Sequence, residues 1–286
     1  MAMSDTQPGS WRRRSALRRC LGQPSTLIGG CIVLVFTLLA VAAPVLAPYD
    51  PNSSDWNAIR QAPSSAHWFG TDDLGRDVLS RVIYGSRASL MAGLISVSIA
   101  VAIGLPLGLV AGYFGGIVDS VVARCADALL ACPFLVLAIA LAAFLGPSLE
   151  NAMIAIGISA TPIFIRLTRG QALAVKSEDY ILAVQSLGVR HGRIILSHVL
   201  PNVTAPIVVQ VTITMAVAVL AEASLAFLGL GQAPPSPSWG SMLDAARQFL
   251  TDAPWMAVWP GLAIVVVVMG FNLLGDGLND ALDPRH

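Results

Sequence analysis

The chain alternates long uncharged apolar runs with shorter polar stretches. The first run, Leu27–Leu46, contains no charged residue. At about 1.5 Å per residue, a helix of that length crosses the ~30 Å hydrocarbon core of a bilayer. Ala47, Pro48 and the turn-forming Tyr49, Asp50, Pro51 and Asn52 end it and open a polar loop that extends to about Ser86. Further spans are expected at Ala88–Val110, Ala128–Leu145, Ala152–Ile165, Val203–Phe227 and Trp255–Leu274, making six. The second carries Gly104, Pro106, Gly108 and Gly112, residues that permit kinks and close backbone approach in membrane helices. In the first loop Trp56, Trp68 and Phe69 suit a lipid interface. The Pro-rich stretch from Ala233 to Trp239 reads as an outward loop between the last two spans.

Composition supports a bilayer as the solvent. Of the 286 residues, 55% are hydrophobic and 12% charged, against about 25% charged in a soluble domain. The net charge of zero offers no basic field for nucleic acid. Cys20, Cys31, Cys125 and Cys132 form no C-x-x-C pair and read as small buried residues. Ala43–Ala47 resembles a cleavage site weakly, but the length and position of the first run favour a retained anchor. Arg12, Arg13, Arg14, Arg18 and Arg19 place the N-terminal tail, residues 1–23, in the cytoplasm. Six crossings then put both termini there, together with Arg166–Asn202, which holds Arg166, Arg169, Lys176, Arg190 and Arg193. Arg76, Arg81 and Arg87 fall on the outer side, balanced by Asp72, Asp73 and Asp77.

What is missing narrows the function. The single lysine, Lys176, follows Val175 where a phosphate-binding loop requires glycine, so no G-x-x-x-x-G-K-[ST] exists. No H-E-x-x-H or G-x-S-x-G occurs, and His67, His191, His198 and His286 lack metal-ligand spacing. Within the spans the ionisable residues are few: Asp127 near the start of the third, Glu222 late in the fifth. A proton- or sodium-coupled carrier, or a channel working alone, needs more charge at membrane depth.

The segment from Ser177 to Asn202 is the most informative. Ser177 is placed as a helix N-cap, with Glu178 and Asp179 in the first turn. Tyr180, Val184 and Leu187 follow at helical spacing on one face, and Gly188 stops the helix. A second short helix runs to Leu200, and Pro201 restarts the chain into the fifth span. Such a helix either packs on its own membrane domain or presents an apolar face to another protein. Glu222 likewise has two readings: a carboxylate bonded to a neighbouring helix or near water, or a pore-facing charge beside the small Ala221, Ala223 and Ser224.

The segment resembles the cytoplasmic loop of type I ABC importer permeases, whose pattern is Glu-Ala-Ala, three residues, Gly, nine residues, then Ile-x-Leu-Pro. Here Gly188 is followed at that spacing by His198, Val199, Leu200 and Pro201, while Leu182, Ala183 and Val184 replace Glu-Ala-Ala. His67–Arg81, Gly85–Leu90, Glu222–Gly231, Trp239–Met242 and Asn272–Arg285 resemble the C-type branch of dipeptide and oligopeptide permeases, which nickel-complex permeases share. The resemblance implies an all-α polytopic protein with the type I ABC importer transmembrane domain: a first helix and extracytoplasmic loop over 24–86, then a permease core over 87–286 with its coupling loop at 171–202. It implies Tyr180, Ala183, Val184, Leu187, Gly188, His198, Leu200 and Pro201 as ATPase-coupling residues; the pore-facing reading of the fifth span makes Glu222 and Ser224 translocation-pathway candidates. It further implies a homologous second permease subunit, two cytoplasmic ATP-binding subunits that carry ATP and Mg, and an extracytoplasmic solute-binding protein, in a bacterial inner membrane. This chain would hold no cofactor and do no covalent chemistry. Small peptides are the expected cargo, with nickel chelates or another small solute the alternative.

Overall fold

A computed structural model describes residues 23–282. Among these residues the regular elements are all helical, and an isolated bridge pairs Thr71 with Asp77. The helices are α1 (Pro24–Val41), α2 (Ala43–Leu46), α3 (Val78–Phe114), α4 (Gly116–Leu130), α5 (Phe134–Leu145), α6 (Leu149–Lys176), α7 (Asp179–Ser186), α8 (His191–Ile194), α9 (Leu200–Phe227), α10 (Trp239–Ala246) and α11 (Trp255–Leu282). Five helical stretches are long and apolar enough to cross a membrane, and the count becomes six if the bent pair α4–α5 is one span. On α1, Ile28, Leu34, Val35, Leu38 and Val41 are each more than half exposed, as befits a helix whose outer face meets lipid. The N-terminal arginines and Arg285 lie outside the described residues.

The α3–α6 seam organises the bundle. Gly104, Gly108 and Gly112 recur every fourth residue on the α3 face that meets α6. A Cβ at these positions would fall 2.6 Å from Phe164 Cβ, 2.7 Å from the Ile165 carbonyl and 2.6 Å from the Arg169 carbonyl. The backbones therefore touch where a side chain would otherwise hold them apart. Gly157 answers from α6, where a Cβ would lie 2.8 Å from Ile99 Cβ. Ser96 Oγ donates to the Met153 carbonyl at 2.9 Å across the same seam. A second close approach joins α1 to α11, with Gly270 beneath Ile32 and Gly29 beneath the Leu274 amide.

Several element boundaries differ from those expected. The second span begins at Val78, not Ala88, and the polar loop ends at Asp77, whose Oδ2 accepts the Ser80 amide at 2.8 Å as N-cap. Charged Arg81 is buried in the first turns, which hydropathy alone does not anticipate. The division at 86/87 thus falls inside α3, and the loop limits 171 and 202 fall inside α6 and α9. At 37 residues, α3 is about 55 Å long and exceeds a ~30 Å core. The third span is not one helix: α4 and α5 meet at 89°. Pro133 has no amide hydrogen and disfavours helical geometry at Cys132. Asp127 accordingly ends α4 and does not begin a span. The fourth span runs the length of α6, with Ser148 as its cap.

Ser177 is not the N-cap of α7. It closes α6, its Oγ donating to the Ala174 carbonyl at 2.8 Å, and Glu178 takes the N-cap position. Pro201 does not restart the chain either. From His191 to Phe227 the path is continuous through a π-helical turn at Ile195–Val199, which widens the helix where Pro201 supplies no amide hydrogen. The Pro-rich stretch leads into α10, an unanticipated helix opened by a reciprocal Ser238–Ser241 capping box. Trp56 and Trp68 are exposed, but Phe69 is packed inward, stacked on Trp259 at 3.8 Å. Cys31 and Cys125 are exposed, not buried, and Cys20 lies outside the described residues.

The seam yields a contrast. Gly108→Ala forces α3 from α6 and should lower the unfolding temperature of the detergent-purified protein by several degrees. Gly170→Ala, on α6 with open space around it, should leave it unchanged or raise it, alanine being favoured in helices by up to ~1 kcal/mol. A scanning-fluorimetry melt of both variants checks this.

Candidate functional site

The helix α7 lies between α6 and α9 at one end of the bundle. Its apolar stripe is wider than one contact needs. Ile181 is fully buried, and Val184 packs against the core of the membrane domain. Leu182 and Leu187 point outward, Leu187 being 81% exposed, and Tyr180 and Ala183 are exposed beside them. Gly188 ends the helix at φ +73°, a left-handed geometry that glycine adopts without steric cost.

Polar contacts fix the helix to the bundle. Gln185 Nε2 donates to the Tyr113 hydroxyl at 3.5 Å, and that hydroxyl lies 2.8 Å from His191 Nδ1. Asn202 Nδ2 reaches the Tyr180 hydroxyl at 3.1 Å and the His198 carbonyl at 2.6 Å. The His198 ring sits 6.5 Å from that of Tyr180. Leu200 packs inward and Pro201 is exposed. Nearby, Arg169 of α6 grips Asp119 of α4 with two hydrogen bonds, Nη2 to Oδ2 at 2.7 Å and Nε to Oδ1. The structure thus gathers Tyr180, Ala183, Val184, Leu187, Gly188, His198, Leu200 and Pro201 at one end. Ile181, Leu182, Gln185, Tyr113, His191 and Asn202 complete that end and are not among the expected coupling residues. Ile181 could have been found one residue beyond Tyr180 as the anchor of a two-sided stripe.

Glu222 and Ser224 lie far away, more than 20 residues along the helical path from Leu200, or about 30 Å at the helical rise. They face differently. Glu222 is fully buried, and its Oε2 accepts from Ser89 Oγ of α3 at 2.9 Å, the helix-bonding geometry. Ser89 Oγ in turn lies 3.4 Å from the Trp239 amide, and the buried Trp239 indole donates to the Val82 carbonyl at 3.0 Å. Ser224 is half-buried on an apolar groove bounded by Leu220, Phe227, Leu228 and Leu243. Where the first loop meets α3, Arg76 Nε pairs with Asp72 at 2.6 Å and Arg81 with Asp72 at 3.4 Å, and His67 Nδ1 lies 3.0 Å from Asp77 Oδ1.

These features define a multi-pass helical membrane protein that presents an exposed apolar helix, clamped to its own bundle, between two long spans. The chain belongs to the family of binding-protein-dependent transport system inner membrane components, which it matches over residues 104–286. Residues 11–63 match the N-terminal transmembrane domain of oligopeptide transport permease C. The chain is 46% identical to the dipeptide transport system permease protein DppC of Alkalihalophilus pseudofirmus, over 95% of this chain and 90% of that one. It is 44% identical to the probable D,D-dipeptide transport system permease protein DdpC of Escherichia coli, over 92% and 89%. It is also 44% identical to the glutathione transport system permease protein GsiD of Pectobacterium atrosepticum, over 95% and 91%. Among solved structures it resembles a chain of the MetNI methionine ABC transporter in inward-facing form, with a TM-score of 0.59 at 19% identity over 72% of this chain and 97% of that one. The likeness extends to the fold of a type I ABC importer permease, in agreement with the expected fold class.

A brace and a pore charge behave differently on substitution. Glu222→Gln keeps the size and the acceptor toward Ser89, so uptake of free-amine and N-acylated peptides should change by the same factor. Glu222→Ala leaves Ser89 and a cavity behind and should lower the amount of folded protein in the membrane, a loss of about 1–3 kcal/mol. Uptake by peptide class and membrane abundance check this.

Proposed function

We propose that this chain is one of two permease subunits of an ATP-driven importer of dipeptides and similar short peptides. The observation that carries the reading is the exposed apolar edge of α7, held in place by its buried edge. An exposed leucine costs little in isolation, but burying it in a partner's groove gains about 1.5–3 kcal/mol. The names of the relatives supply the cargo class.

In this reading Tyr180, Ala183, Leu182, Leu187 and Gly188 meet a cytoplasmic ATP-binding subunit, while Val184, His198 and Leu200 seat the helix and Pro201 stays exposed beside it. Two such subunits hold ATP and Mg, and a homologous second permease and an extracytoplasmic solute-binding protein complete the assembly. The termini and α7 face the cytoplasm, and the first loop with α10 faces outward. Closure of the ATP-binding pair pushes α7. Because α7 is tied to α3 through Tyr113 and to α9 through Asn202, both long helices receive the movement and the pathway alternates its access. Ser224, on the open groove, remains the pathway candidate; Glu222 braces α9 to α3.

Leu187→Arg tests the docking. With the full set of partners, peptide uptake and peptide-stimulated ATP hydrolysis should fall at least ten-fold, the cost of about 1.5–3 kcal/mol of docking, while membrane insertion is unchanged. Undiminished uptake would make α7 a packed loop.

A further inference from the structure

Near the end of the bundle opposite α7, a cavity of about 460 Å³ lies between the first loop, α3 and the loop before α10. Its polar lining comprises Asp50, Asn52, Tyr84, Arg87, Gln232 and Ser236. The volume falls within the ~300–1,000 Å³ range of small-molecule sites. Two of the lining residues carry opposite charges, yet neither forms an ion pair with the other or with any other described residue. Asp50 uses Oδ1 to accept the Asn52 amide at 2.8 Å in its own turn, and its side chain stays exposed. Arg87 is exposed, and no charged residue follows it in α3.

Arg81 shows what a structural arginine looks like here. It is buried, pairs with Asp72, and its Nη1 donates to the carbonyls of Pro51 at 2.7 Å and Pro235 at 3.3 Å. Pro51 lines the cavity and Pro235 immediately precedes the lining Ser236, so Arg81 holds the two loops in place before any ligand arrives. Arg87, six residues on, is left without such work. A guanidinium on one wall suits a carboxylate, which it binds with paired hydrogen bonds. A carboxylate on another wall suits an ammonium.

We propose that this cavity is a receiving site for a short peptide with free termini, Arg87 holding its C-terminal carboxylate and Asp50 its N-terminal ammonium. Tyr84, Asn52, Gln232 and Ser236 supply neutral hydrogen bonds to the peptide unit between them. The proposal rests on the peptide-import reading and adds the place where the cargo first meets this subunit. A peptide too short to bridge the two charges, or blocked at either end, loses one of them. The phosphoethanolamine headgroup of a lipid has the same pair of charges and is the competing occupant.

The assembled transporter, in nanodiscs without its solute-binding protein, provides the test. Binding is measured for dialanine, N-acetyl-dialanine and dialanine amide. Arg87→Gln should weaken dialanine about ten-fold, the loss of one charge-assisted contact, and leave the amide unaffected. Asp50→Asn should weaken dialanine similarly and leave the acetyl peptide unaffected. Arg87→Lys should recover part of the loss. Equal weakening of all three ligands, or no weakening, overturns the site. So does dialanine binding that disappears in phosphatidylethanolamine nanodiscs but is independent of both substitutions. Uptake by the wild-type assembly separates the two levels of failure. If dialanine is imported but its binding ignores Arg87 and Asp50, the site is wrong and the peptide reading stands. If no peptide is imported, both fall.

Discussion

The contact between α3 and α6 is the constraint on which the rest depends. Three glycines spaced by four residues let two long helices approach until backbone meets backbone, with Ser96 bonding across to α6. In a bilayer no hydrophobic force drives one helix onto another, so packing of this closeness, with few hydrogen bonds, must supply the association. The consequence for function is stiffness. The α6 helix leads directly to Ser177 and α7, and α3 carries Tyr113 at the α7 end and Ser89 near the other. In the proposed assembly these packed elements are the route by which a displacement of α7 would reach the loop end.

The two ends of the bundle are built differently. At the α7 end a short helix sits with one apolar edge in and one out, held by single hydrogen bonds to Tyr113 and Asn202. At the other end Glu222, Ser89 and Trp239 interlock in the interior, Trp255 donates to the Thr71 carbonyl at 3.0 Å, and Arg81 ties two loops together. The first end is suited to receive a partner. The second keeps a polar loop folded over membrane helices, so a cavity there can hold a fixed arrangement of charges.

Much of this was legible in the sequence, for reasons that have limits. The six apolar runs, the small residues in the second and the spacing of Gly188 to Pro201 are local signals, and local signals survive folding. The start of α3 was missed because Arg81 is satisfied by Pro51 and Pro235, one of them 154 residues away in the chain. The bend at Pro133 was missed because an apolar run looks the same whether straight or broken. The face of α7 was half read. Tyr180, Val184 and Leu187 share a stripe, but Ile181 pulls its inner edge onto the bundle, and only the packing shows which residues are left outside. Glu222 is the sharpest case: its position in the helix was plain, but its orientation was set by Ser89 on a helix 133 residues earlier.

In the proposed assembly the outer edge of α7 is the contact through which an ATP-binding subunit drives this chain. Leu182→Cys, in a cysteine-free version of the assembled transporter, reports on that contact without disturbing Leu187. With cysteines placed on the ATP-binding subunit, a cross-link is expected from Leu182 with a yield that changes when ATP is added, and none from Ser236→Cys in the loop before α10. A cross-link from Ser236, or labelling of Leu182→Cys by an impermeant thiol reagent on sealed cells with no link to the ATP-binding subunit, would contradict it.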